Sequence, residues 1–264
     1  MTVRRRDLDE DDVRVRPGKH KSRARSKVRP DHFDARKAMV VAVDRGRFTV
    51  VLDDDDEQTF AVKARELGRK GIVVGDDVEV VGDTSGGDDS LARIVKRSAR
   101  RTSLRRSADD EGAAGEHVVV ANADQLGVVV AAADPEPRPR LIDRTLVAAY
   151  DGGLQPLLIV TKRDLADPTE LIQRYEALGT THIALQRGDD LSALIDQLAD
   201  RVTVLIGHSG VGKSTLVNAL VPAAHRLTGV VNTVTGRGRH TSTSAVALPL
   251  QRGGWVIDTP GIRS

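Results

Sequence analysis

Apolar positions are sparse and follow no period over residues 1–36, which predicts a disordered basic arm. The pattern changes at Ala38. "AMVVAVDRGRFTVVL" carries two β-rich runs around Asp44-Arg45-Gly46, a turn signal in which glycine supplies the permissive backbone. "QTFAVKAREL", "VVGDDVEVV" and "SLARIVKRS" add three more candidate strands. Short strands in this succession over 37–106 predict a small all-β barrel of the OB type, a platform often used for RNA, with other small barrels left open. "SADDEGAAGEH" (107–117) reads as a linker.

From 118 to 264 the pattern alternates between strand and helix. "QLGVVVAAAD", "PLLIVTKRDL", "THIAL" and "RVTVLIG" read as strands; "RLIDRTLVAAYDGG", "DPTELIQRYEALG", "DDLSALIDQLAD" and "KSTLVNALV" read as helices. The second helix carries its own start signals, with Asp167 as cap, Pro168 in the first turn and Glu170 behind them. Regular alternation predicts a mostly parallel sheet with helices on both faces.

Composition narrows the class. Aromatic residues are 2% of the chain, so the core must be aliphatic, which suits the buried strands of a parallel sheet. The absence of cysteine excludes disulfides and Cys-based zinc sites within this chain. No apolar run reaches the roughly 18 residues of a bilayer span, and the Arg-rich start lacks the apolar core of a secretory signal. A cytoplasmic protein without a membrane partner is expected. Net charge is only +2, but basic residues at 14, 16, 19, 21, 23, 25, 27 and 29 occur with no acid between them. "RIVKRSARRTSLRR" (93–106) is a second acid-free block. Two such blocks favour a nucleic-acid partner. The barrel region offers only Phe48 and Phe60 for stacking, so contacts to phosphates are expected rather than to bases.

"GHSGVGKS" fits G-x-x-x-x-G-K-[ST] between an apolar strand and an apolar-periodic helix. Gly207, His208, Ser209, Gly210, Val211 and Gly212 would form a loop whose backbone N–H groups curl around a phosphate at a helix N-terminus. Lys213 would reach the β- and γ-phosphate oxygens, the Ser214 hydroxyl would ligate Mg²⁺, and Thr215 would stand beside the phosphates. His208 is more a contact or spectator than a catalyst.

Base identity needs separate evidence. Thr161-Lys162-Arg163-Asp164 ends an apolar strand and is similar to the [NT]KxD element of GTPases. A carboxylate at Asp164 can accept from the N1–H and N2–H₂ of guanine, which adenine does not offer, and this argues against a nucleotide kinase or ATPase. "GGWVIDTPG" ends a third strand with Asp258-Thr259-Pro260-Gly261, similar to DxxG; Asp258 would hold Mg²⁺ through water and the Gly261 N–H would meet the γ-phosphate. "GRGRHTSTS" (236–244) lies where a switch loop belongs. The order is base reader, phosphate loop, switch, DxxG, which is that of a circularly permuted GTPase. Such a re-cut is physically acceptable because domain termini often lie close together.

A predicted barrel followed by "GHSGVGKSTLVNAL", "GRGRHTSTS" and "DTPGIR" resembles the ribosome small-subunit-dependent GTPase A family (RsgA, also YjeQ or YloQ) over roughly residues 38–264. The resemblance implies GTP hydrolysis to GDP and phosphate, stimulated by the small ribosomal subunit and its rRNA, during late maturation of that subunit. The alternative is an RNA-binding assembly chaperone that uses GTP mainly as a conformational switch. A monomer is expected. Zinc is expected only in the family's C-terminal domain, which this chain, ending at Ser264, lacks. The family's Ser-Ala signal near the base is not clear in "HIALQRGDD", so no residue is assigned there. The position after DxxG, often a water-orienting Gln, is Ile262, which cannot orient water by hydrogen bonding. His240 is the local candidate for that task, with Thr241 or Thr243 supplying the switch contact to Mg²⁺.

Overall fold

The computed structural model describes residues 32–68, 71–87, 90–106, 117–222 and 245–259. The arm expected over 1–36 lies outside these up to Asp31, and its last residue, Arg36, already opens a strand. β1 (Arg36–Asp44) and β2 (Arg47–Leu52) are joined by Arg45 and Gly46, both at positive φ. A turn of that hand follows the natural twist of the strands, so the hairpin forms locally. β3 (Gln58–Lys63), β4 (Asp77–Gly82) and β5 (Ala92–Arg97) follow.

The order β1-β2-β3-β5-β4 closes on itself because β4 also pairs with β1, while β3 and β5 run parallel. Closure removes the open edges a five-stranded sheet would have, and the result is the OB-type barrel. Val40, Val50, Leu52, Val80 and Ile94 fill its interior, each fully buried. Phe48 is spent in the same core. Phe60 stays partly exposed, with the Arg47 guanidinium 5.0 Å from its ring centre.

Two short strands that the hydrophobic pattern did not mark come next. β6 (Ser103–Arg106) pairs antiparallel with β7 (His117–Ala121). Of the expected linker only His117 lies among the described residues, and it opens β7. The Ala121 N–H donates to the Val74 carbonyl at 3.0 Å, which brings β7 against the barrel. Gly75 permits this approach: its φ is +86°, and a Cβ there would stand 2.0 Å from the Ala121 oxygen.

The second acid-free block is largely occupied within the fold. Lys96 pairs with Glu79, Arg97 donates to the Gly71 carbonyl, Arg100 binds Asp76 and Arg101 reaches Asp124. Arg93 remains exposed. Arg100 is thus taken up inside the fold, whereas Lys96 and Arg101 keep more than half of their side chains in water beside their partners.

The rest is a doubly wound sheet. β8 (Gln125–Ala131), α1 (Pro139–Gly152), β9 (Gln155–Thr161), α2 (Thr169–Glu176) and β10 (Thr181–Ala184) come first. α3 (Ser192–Leu198), β11 (Val202–Ile206), α4 (Lys213–Leu220), β12 (Val246–Pro249) and β13 (Trp255–Asp258) complete it. The strand order is β10-β9-β8-β11-β13-β12, all parallel except β12, which no sequence signal announced. Successive residues of one strand face opposite layers. Val129, Leu157 and Ile159 pack with α3 and α4, whereas Val128, Val130, Leu158 and Val160 pack with α1 and α2. Helices thus cover both faces. At the start of α2, the Asp167 carboxylate accepts from the Thr169 hydroxyl at 2.6 Å and from its N–H at 3.0 Å, and these two bonds hold its pKa below the usual range. The helix begins one residue later than its signals suggest.

Candidate functional site

Growth of the sheet runs outward from β8 through β9 to β10, then returns to β11 on the other side of β8. A crevice opens beyond the carboxyl ends of the strands at such a reversal. The segment 161–164 ends β9, the loop 207–212 follows β11, and Asp258 ends β13, so all three meet that edge.

The loop after β11 is shaped by contacts that only certain residues allow. At Gly207 an added Cβ would lie 2.7 Å from the Val129 carbonyl oxygen, so the chain can turn there only without a side chain. Gly210 and Gly212 adopt φ of +86° and +88°, and Gly212 caps α4. Val211, fully buried, fastens the loop into the core. The first N–H groups of α4 have no partner within the helix and suit an anion. Lys213 is almost wholly buried; its Nζ donates to Asp258 Oδ1 and, at 2.6 Å, to the Thr259 carbonyl. Ser209, Ser214 and Thr215 are exposed. His208 is half-buried, its Nδ1 2.9 Å from the Ser209 oxygen and its Nε2 buried without a partner.

Thr161 ties the two candidate elements together. Its buried Oγ1 lies 2.6 Å from the Val211 carbonyl and 3.1 Å from that of Val130, so one hydroxyl spans β8, β9 and the phosphate loop. Lys162, at φ +54°, donates to the Asp134 carbonyl. Arg163 pairs with Asp189 and sends its backbone N–H to the Leu185 oxygen. Arg163, and then the Gln186 N–H, hold the Asp189 carboxyl below its ordinary value, and the same pairing raises Arg163. Asp164 is exposed.

Sequence reasoning singled out the stretch "HIALQRGDD" but assigned no residue in it. In the structure Leu185, Gln186 and Asp189 of that stretch follow β10 and are the ones that meet Arg163 and its neighbours. The β8–α1 loop was missed: Pro135 comes within 3.4 Å of where a Gly210 Cβ would be. Gly261, His240, Thr241 and Thr243 fall outside the described residues.

The donors gathered here suit one metal class. Ser214 offers a hydroxyl and Asp258 a carboxylate, both hard oxygen ligands. Among the described residues no three His, Asp or Glu side chains gather as a metal cluster. The hydroxyl and the carboxylate fit Mg²⁺, which takes oxygen ligands, keeps much of its water and is commonly shared with substrate phosphates. No helix among the described residues is long and apolar enough to cross a membrane.

Comparison with known proteins agrees with this arrangement. The family described as RsgA GTPase matches residues 97–264. The small ribosomal subunit biogenesis GTPase RsgA of Gemmatimonas aurantiaca is 43% identical over 157 residues, covering 58% of this chain and 51% of that one. The protein of the same name from Nitrosospira multiformis is 35% identical over 230 residues, 85% of this chain and 69% of its own. The chain spans about half the length of the first of these relatives. The crystal structure of YjeQ from Thermotoga maritima superposes with a TM-score of 0.64 at 28% identity, covering 86% of this chain and 75% of that chain. YloQ, a circularly permuted GTPase, shares the fold with a TM-score of 0.63 at 24% identity, over 90% of this chain and 75% of its own. With a circularly permuted sheet behind a closed barrel, and with the family match over residues 97–264, the chain belongs to the RsgA GTPase family.

Proposed function

We propose that this chain binds GTP with Mg²⁺ and hydrolyses it to GDP and phosphate, stimulated by the small ribosomal subunit, in the late maturation of that subunit. The names of its relatives support the partner. The observation that carries the chemistry is the meeting of Thr161, Val211, Lys213 and Asp258 at one sheet edge. The reading places the chain in the cytoplasm with its partner and takes it to act as a monomer.

In this reading Asp164 accepts from the guanine edge, with Lys162 along the base plane and the 185–189 loop as the opposite wall. The backbone of 207–212 and the Lys213 ammonium cradle the phosphates, and Thr215 stands beside them. Ser214 and Asp258 would hold Mg²⁺ with Thr241, and the ion would supply charge neutralisation on the phosphates. Water attacks the γ-phosphorus, the bond to the β-phosphate oxygen breaks, and Gly261 N–H and Lys213 stabilise the transferring group. His240 orients the water.

Nucleotide selectivity is the direct test. Asp164→Ala is expected to weaken GTP by about 1–3 kcal/mol while leaving ATP unchanged, since only guanine loses its pair. Equal ATP and GTP affinity of the unaltered chain in calorimetry would refute the base reader. His240→Ala is expected to bind nucleotide normally and lose most subunit-stimulated turnover; a wild-type rate on subunits would remove His240 from the mechanism.

Binding to the subunit should be mainly electrostatic, through the basic residues of 14–29 and the exposed remainder of 93–106. Affinity should fall with salt at a log–log slope of about −0.7 per single-strand phosphate contact. Deleting residues 1–31 is expected to flatten that slope, and an unchanged slope would exclude the arm from binding.

A further inference from the structure

Among the described residues, the barrel and the nucleotide-site sheet are joined by one backbone pairing. β1 pairs antiparallel with β12 at Ala42 opposite Val246. On its other side β12 pairs with β13, where Val246 stands opposite Asp258, and Asp258 is in turn aligned with Leu205 of β11. A single row therefore runs Ala42–Val246–Asp258–Leu205 across four strands. Directly opposed residues share a face, with Cβ atoms about 4.5–5.5 Å apart in antiparallel pairs. Two strand spacings put Ala42 about 10 Å from Asp258. Val246 packs on the same cluster as Leu205 and the phosphate-loop Val211.

A β-bulge makes this contact possible. Val40 pairs with Val50 and Ala42 with Thr49, so Val41 is the extra residue of β1. Without a bulge, alternation would put Val41 outside the barrel and turn Ala42 inward beside Val40. With it, the phase shifts after Val41, so Ala42 comes to lie opposite Thr49 and meets Val246 instead of following Val40 into the barrel core. Val41 packs with Val204, Ile206, Ala247 and Ile257. Bulges re-aim side chains in this way and often sit beside functional sites.

We propose that the Ala42–Val246 row positions Asp258, so that a load on the barrel alters how well the phosphate site holds Mg²⁺ with nucleotide. The proposal rests on the reading of Asp258 as a magnesium-site carboxylate. Val246 limits where the neighbouring carboxylate can swing, and Lys213 meets Asp258 Oδ1 only within that range. Val246 and Ala42 are positioning residues. They touch neither substrate nor metal.

The test is binding of a fluorescent GDP across a Mg²⁺ titration, with no turnover required. Val246→Ala and Ala42→Leu are expected to bind GDP in Mg²⁺-free buffer as the unaltered chain does, but to need about tenfold more Mg²⁺ for the metal-dependent gain. Val246→Ile should restore the ordinary midpoint. Val50→Ala, a cavity in the barrel core away from the row, should leave it unmoved although it destabilises the barrel. Coupling must be reciprocal. Amides 38–43 should therefore exchange more slowly when Mg²⁺ and nucleotide are added to the unaltered chain, and lose that response in Val246→Ala. Midpoints of the row variants no different from Val50→Ala, or no exchange response in β1, would overturn the proposal. An unaltered chain whose GDP binding ignores Mg²⁺ would instead remove the magnesium reading beneath it.

Discussion

Lys213→Ala is expected to weaken GTP and GDP binding by about thirtyfold or more while leaving the protein folded. Nearly all of this side chain is inside, and its ammonium already faces the Asp258 carboxylate and the Thr259 carbonyl. The lysine is thus already fixed by burial and by two contacts, and little side-chain freedom remains to be lost when phosphate arrives. Truncating one partner of a desolvated charge pair costs about 2–5 kcal/mol, which is about thirtyfold to several thousandfold in affinity. The fold should tolerate the change better, because about a third of the Asp258 side chain remains in water and can hydrate. Lys213→Arg is not a rescue, since a planar fork does not fit where a compact ammonium did. Calorimetry with GDP alongside urea unfolding separates the two effects. Wild-type GDP affinity in Lys213→Ala would contradict the phosphate-loop assignment.

Asp76→Ala should produce the largest loss of stability, about 3–5 kcal/mol, through a different mechanism. Asp76 is fully buried and accepts from Arg100 Nε at 2.7 Å and Nη2 at 2.8 Å, in the two-pronged geometry that makes such pairs strong. Its second oxygen also accepts from the Val73 N–H at 2.8 Å. Truncation leaves a mostly buried guanidinium and a backbone donor without their acceptor. The damage falls where the barrel meets β7, since the Gly75 carbonyl next in the chain accepts from Asn122 Nδ2. Removing both charges, as Asp76→Leu with Arg100→Leu, should recover much of the loss because no charge is then left unpaired. If the double variant is no more stable than Asp76→Ala, the pair is not the cause.

How far the sequence could be read depended on the range of the physics. Arg45-Gly46 and the strand–loop–helix around Gly207 to Leu220 are settled within a dozen residues, by turn chemistry and by apolar period. Both were legible. β12 was not, because four residues carry no period and its pairing with β1 and β13 is entirely non-local. β6 and β7 were missed for the same reason. The block 93–106 was legible only as basic composition: that Asp76, Glu79 and Asp124 pair with part of it depends on residues elsewhere in the chain.

The sequence by itself determined the barrel-then-α/β architecture and the permuted order of the motifs, because periodicity and loop chemistry are properties of contiguous residues. Only the tertiary structure decided that Thr161 bonds to the phosphate loop, that Asp189 and Leu185 flank Arg163, and that the barrel touches the sheet at Val246. Each of these is a contact between segments tens of residues or more apart. Such contacts depend on which strands lie side by side, and strand order is set by burying both faces of the sheet at once, a condition no single stretch of sequence carries.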